Sequence, residues 1–285
     1  MRITGILILI VFLAVAAKAA EPSSYTVEKL SDRLYAAIAR PASSATTNAF
    51  FYVGPKEVIA GGAHMTERAT RDLLAEISAV TNKPLHYFIL PHHHPGYTSV
   101  DFYLPKSVDV IMTYPVWQQL KKEVLPFPNE TLLFSEGMTF KVESKSIVLT
   151  NMGRAHAEGD ALVYFPDEKA VFTSDLLYVN SVGYMGEGHM EDWMLALEFL
   201  DQLKFDRVIP GYGPVSKPAA IAGFKNYFKS FLSEVIKHIE AGDSLEKTRK
   251  EFSLPQYSQY QGYNQLLELN VDRAFRNLKE TVLSR

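Results

Sequence analysis

The chain contains no cysteine in 285 residues. That excludes disulfides, thiolate metal ligands and a cysteine nucleophile together: any metal must be held by histidines and carboxylates, and any covalent nucleophile must be Ser, Thr, Lys or a carboxylate. An excess of either sign of charge is also lacking. A formal net charge of -3 leaves no basic footprint, so no nucleic-acid partner and no anionic membrane surface is expected, and small molecules are the expected partners. Beyond the first 20 residues no apolar run approaches the ~20 residues that a spanning helix needs. With 47% apolar and 21% charged residues, long disorder is excluded and the length suffices for a core without covalent staples.

One apolar run is present, at the start. Arg2 precedes apolar residues 6–16, and Ala17-Lys18-Ala19 places small residues where a signal peptidase inspects the chain. The expectation is a cleaved export signal over residues 1–19 and a periplasmic or secreted protein with no membrane contact after cleavage.

Periodicity then alternates between two and 3.6. Strands are expected at 26–30, 34–39, 48–53 and 57–60, and a helix at 67–80, where Leu73, Leu74, Ile77 and Val80 repeat at helical spacing. An apolar strand at 85–90 ends in Pro91. Another strand at 108–112 leads to a helix at 115–124, and β-rich text at 139–149 precedes a glycine-flanked polar loop. Strands at 161–165 and 170–173, a helix at 193–203, a strand at 207–210 and two long helices at 221–241 and 266–283 complete the pattern. Strand, site, helix, strand is the order of an α/β fold.

The chemistry sits where strands end. In an extended segment residues two apart share a side, so His92 and His94 can face one metal ion while His93 points away. His156 lies in the loop Gly153-Arg154-Ala155-His156-Ala157-Glu158-Gly159-Asp160, Asp175 follows a hairpin, and Gly211-Tyr212-Gly213 follows the last strand. Isolated histidines such as His64, His86, His189 and His238 read as ordinary polar groups, and Asp160 as a cap of its loop.

This constellation resembles the metallo-β-lactamase superfamily, over about residues 25–214. The strongest match runs from Gly153 through Val163-Tyr164-Phe165-Pro166 to Val171-Phe172-Thr173-Ser174-Asp175. The resemblance implies a four-layer αββα sandwich over residues 24–215, with residues 216–285 as C-terminal helices packed on the same domain. It also implies a metal site of His92, His94, His156 and Asp175. The departures cluster: the family's His-x-His-x-Asp-His appears as His92-His93-His94-Pro95-Gly96-Tyr97, its Pro-Gly-His-Gly as Pro210-Gly211-Tyr212-Gly213, its Gly-Asp as Ser174-Asp175, and an Asp after the second strand as Ala60-Gly61-Gly62. These losses imply one zinc ion and a degenerate second position.

Two functions follow. The first is an exported single-zinc hydrolase acting on an ester, amide, lactone or thioester, with Asp175, Tyr97 and Tyr212 as candidate catalytic groups; the absence of a cysteine ligand and the broken motif argue against a β-lactamase in the strict sense. The second is a catalytically inactive ligand-binding protein on the same fold. Tyr97 and Tyr212 fit either one: they fill the vacated second position with aromatic bulk, or their hydroxyls orient substrate.

Overall fold

The structure is a computed structural model that describes residues 21–63, 66–94, 104–123 and 127–283. The expected export signal, His64, Gly96 and Tyr97 lie outside those residues. Among the described residues, no helix is long and apolar enough to cross a membrane.

The first half of the chain builds one mixed sheet. Strands β1 (Tyr25–Lys29), β2 (Leu34–Ala39), β3 (Ala49–Val53) and β4 (Val58–Gly62) form an antiparallel meander, followed by helix α1 (Glu67–Val80) and strand β5 (Leu85–Ile89). Strand β6 (Asp109–Thr113), helix α2 (Tyr114–Leu120) and strand β7 (Thr131–Phe134) extend it in parallel. The second sheet comes from β8 (Gly137–Val142), β9 (Lys145–Asn151), β10 (Ala161–Phe165), β11 (Ala170–Tyr178) and, after helix α3 (Met190–Leu200), β12 (Arg207–Tyr212), in the order β12-β11-β10-β9-β8. Helices α4 (Ala219–Glu240), α5 (Leu245–Glu251) and α6 (Tyr263–Leu283) close the chain.

The strand period of two sorts side chains into three cores and so stacks four layers. In β3, Phe50 and Tyr52 point between the sheets while Ala49 and Phe51 point at α1; in β6, Ile111 points inward and Val110 and Met112 outward. The middle core joins Phe50, Ile59, Ile89 and Ile111 to Val163, Phe165, Phe172 and Ile209 of the facing sheet. The third core lies between that second sheet and Trp193, Phe224, Phe228, Phe231, Val271 and Phe275 of α3, α4 and α6. The αββα order expected from the sequence is therefore the order adopted, with C-terminal helices on the outer face.

Three local expectations differ from what is seen. Strand β11 does not stop at Thr173 but runs to Tyr178, buried along its length, because a register shift at Ser174 lets the strand bend and continue. Strand β7 and helix α5 were not foreseen; both are short, and β7 carries Leu132 and Leu133 exposed on its two opposite faces, so it shows no apolar-polar alternation. Helix α3 begins at Met190, three residues before the expected start.

Candidate metal centre

Strand β5 delivers Leu90-Pro91 to the sheet edge, where the carbonyl of Pro91 accepts from the N–H of Ala161 in β10 at 2.8 Å. That bond ties the two sheets together where both histidine segments emerge. Loop 152–160 is shaped from inside by Asp160, whose carboxylate accepts from the N–H groups of Ala155 at 3.2 Å and Ala157 at 2.8 Å. Burial pushes the Asp160 carboxyl well above its ordinary range, outweighing these donors.

His92, His94 and His156 are all buried and each offers a ring nitrogen within 4.8 Å of the others. Their ring centroids lie 4.8–5.0 Å apart, edge to face. His94 Nε2 and His156 Nε2 approach to 2.7 Å, and His92 Nδ1 lies 3.4 Å from the Ser174 hydroxyl. His93 faces away: its Nε2 lies 3.0 Å from Glu123 Oε1, and burial lowers its pKa despite that carboxylate.

The donor set suits a divalent ion. Glu187 Oε2 lies 2.6 Å from His94 Nδ1; a carboxylate only accepts, so the proton of the neutral ring sits on Nδ1 and the lone pair on Nε2, toward His156. Three buried imidazoles make a donor set that could hold a divalent ion and leave one position open. Two nitrogens on one zinc lie about 3.4 Å apart at bonds of ~2.1 Å, so an ion between His94 and His156 requires their rings to separate by less than an ångström. The residues fit the ion.

Asp175 stands beside the imidazoles, its Oδ2 3.8 Å from His156 Nε2. Its oxygens are held by two hydroxyls: Thr47 donates to Oδ1 at 2.9 Å and Tyr178 to Oδ2 at 2.9 Å. Burial together with the Asp175 charge raises the Tyr178 pKa well above the ordinary value, keeping it a donor. Gly211 packs so closely that a Cβ there would lie 2.2 Å from Asp175 Oδ1. The glycine of the Pro-Gly-Tyr-Gly stretch thus makes room for the carboxylate.

Tyr212 is half-buried at the end of β12 and packs against the third core; burial raises its pKa, with the Gln261 side chain acting the other way. The rings around His156 are Tyr178 at 6.0 Å, Tyr184 at 6.2 Å and Trp193 at 5.1 Å. The sequence reading passed over Tyr178, Tyr184, Thr47 and Glu187. The only textual signal for Glu187 is its place in Gly183-Tyr184-Met185-Gly186-Glu187-Gly188, a glycine-punctuated run that follows an acidic site residue. The remaining described histidines have carboxylate neighbours of their own: His86 with Glu57, His189 with Glu158, His238 with Asp243.

Residues 74–212 match the family model of the metallo-beta-lactamase superfamily. No curated protein sequence matches the chain. Among solved structures, a metallo-beta-lactamase from Pontibacter korlensis superposes with a TM-score of 0.63 at 17% identity, over 72% of this chain and 99% of that one. VMB-1 at pH 5.5 gives 0.62 at 18% identity, over 74% of this chain and 99% of its own. DIM-1 metallo-beta-lactamase exposed to ceftazidime gives 0.61 at 18% identity with the same two coverages. At such identities the likeness is one of fold.

Proposed function

Residues 74–212 place this chain in the metallo-beta-lactamase superfamily, as a divergent member, and from that premise we propose that it is a hydrolase of small carbonyl substrates, with one zinc ion held by His92, His94 and His156. The observation that carries the reading is the convergence of three buried imidazoles from two loops on one point. Bound zinc supplies a Lewis acid and acidifies water at its open position, which is the chemistry that cleavage of an ester, amide, lactone or thioester needs.

The protein's own groups have separate tasks. His94 is oriented by Glu187 and His156 by the loop that Asp160 shapes. Asp175, fixed by the Thr47 and Tyr178 hydroxyls, is the carboxylate beside His156 Nε2 and takes a proton from the attacking water. Burial of the three imidazoles keeps bulk water from them.

One observation favours the alternative, a ligand-binding protein without turnover: Asp175 is engaged by two hydroxyl donors instead of standing open. Metal content and turnover separate the two readings. The purified chain should hold about one zinc, lost in the His92→Ala, His94→Ala double variant, and should hydrolyse a member of an ester, lactone and thioester panel in a zinc-dependent way. A chain that takes up no zinc on supplementation rejects the metal reading. Zinc uptake with a blank across the panel leaves the binding protein.

A further inference from the structure

The metal centre has a support from the far end of the chain. Loop 179–189 runs from β11 to α3, and one face of α6 grips its backbone. Asn270 Oδ1 accepts from the N–H of Met185 at 2.8 Å while its Nδ2 donates to Gly183 O at 2.9 Å. Arg273 donates from Nε to Gly188 O at 2.7 Å and from Nη2 to Glu187 O at 3.1 Å. Asn277 Oδ1 accepts from the N–H of Met190 at 2.9 Å. Positions 270, 273 and 277 are three and four apart, so they share a helix face. Asn270 is wholly buried, and its neighbours Val271, Ala274, Phe275 and Leu278 are seated in the third core, which makes α6 a fixed anchor.

The loop so held presents two side chains to the imidazoles: the Glu187 carboxylate on His94 Nδ1, and the Tyr184 ring 5.4 Å from the His94 ring. Glu187 stands between Gly186 and Gly188, whose conformational freedom would scatter the carboxylate over many positions without an external hold. The planar arginine fork, with donors at fixed angles, grips two successive carbonyls, a task that a lysine ammonium cannot reproduce.

We propose that α6 is the positioning element of the metal centre: Arg273, by holding the carbonyls of Glu187 and Gly188, keeps the Glu187 carboxylate on His94 and thereby keeps His94 Nε2 available as a ligand. The proposal rests on reading the three imidazoles as a metal centre. Glu187 and Arg273 are positioning residues, and their effects form one unit.

The test is zinc affinity of the full chain, measured by competition with a chromophoric chelator, with the melting temperature of each zinc-free variant taken alongside to report folding. Glu187→Ala and Arg273→Ala should each weaken zinc binding ~10–100-fold, the scale seen when an orienting partner of a ligand is removed. The double variant should be no weaker than the weaker single variant, because both changes remove the same restraint. Glu187→Gln, whose amide oxygen still accepts from Nδ1–H, should recover most of the affinity. Arg273→Lys, which keeps the charge but not the fork, should bind as weakly as Arg273→Ala, and it carries the test should the alanine variant not fold. Wild-type affinity in the Arg273 variants, or losses that multiply in the double variant, overturn the proposal while the metal reading stands. A wild-type chain that takes up no zinc overturns both.

Discussion

A left-handed backbone at a non-glycine residue costs about 1–2 kcal/mol, and Ser174 adopts one, with φ at 47°. It does so buried, at the irregularity in β11, with its hydroxyl 3.4 Å from His92 Nδ1 and Asp175 as its next residue. The bend turns Asp175 toward His156 while the strand continues to Tyr178. Glycine would take the same φ without strain, whereas a β-branched residue is a true outlier there. Ser174→Gly should therefore melt a few degrees above the wild type, at roughly 2–4 °C per kcal/mol for a chain of this size, and Ser174→Val well below it. Calorimetry decides: a Ser174→Gly variant that melts lower than the wild type would mean that the hydroxyl at His92 outweighs the strain. At this scale the three histidines were legible, because spacing by two on a strand and a glycine-flanked loop are signals carried by neighbouring residues. Ser174 was visible as a departure from Gly-Asp, but its φ was not. Glu187 and Tyr184 were illegible since each acts through the path of a loop with no period to read, and Tyr178 because the strand continues past Ser174-Asp175, which has the composition of a turn.

One buried amide joins several elements at this edge. Asn48 precedes β3 and accepts at Oδ1 from the N–H of Ala39 at the end of β2. Its Nδ2 donates to Pro210 O at 2.9 Å and Gly213 O at 2.8 Å, and its backbone N–H donates to Gly211 O at 2.7 Å. The first sheet is thus fastened to the end of β12, beside Asp175. Asn48→Leu leaves the Ala39 N–H and the Pro210 and Gly213 carbonyls without their amide partner and should lower unfolding free energy by about 3 kcal/mol or more, from ~1–3 kcal/mol per buried group left unsatisfied. Asn48→Asp turns an acceptor toward two carbonyl oxygens, so its loss should grow as pH rises and the new carboxyl ionises. Urea unfolding at pH 5 and pH 8 measures both; a cost under about 1 kcal/mol for the leucine variant would mean that other bonds carry the junction. Strands and long helices were readable from period two and period 3.6. The exit of β11 was not, because Ser174-Asp175 has the composition of a turn and only the bulge in the folded sheet keeps the strand going. Helix α5, seven residues with Thr248 as its buried residue, has too little apolar periodicity to stand out.

At the scale of the molecule, three cores stacked between four layers bring strand ends from both sheets to one edge, and α6 reaches that edge from outside. Helix α6 contributes Val271, Ala274, Phe275 and Leu278 to the third core and meets Phe224, Phe228 and Phe231 of α4 there. Burying side chains of the size of Val, Phe and Leu contributes ~1.5–3 kcal/mol each, so the three larger ones together supply about 5–9 kcal/mol, as much as the whole net stability of many domains. The C-terminal helices should therefore unfold together with the sandwich. A chain ending at residue 262 should lose its cooperative transition and expose the aromatic face of α4, and it should lose the zinc affinity that depends on the held loop. Calorimetry of the truncated chain, with dye binding to report apolar exposure, tests this directly. A soluble product with a sharp melting transition near that of the full chain would show that the sandwich stands without α6.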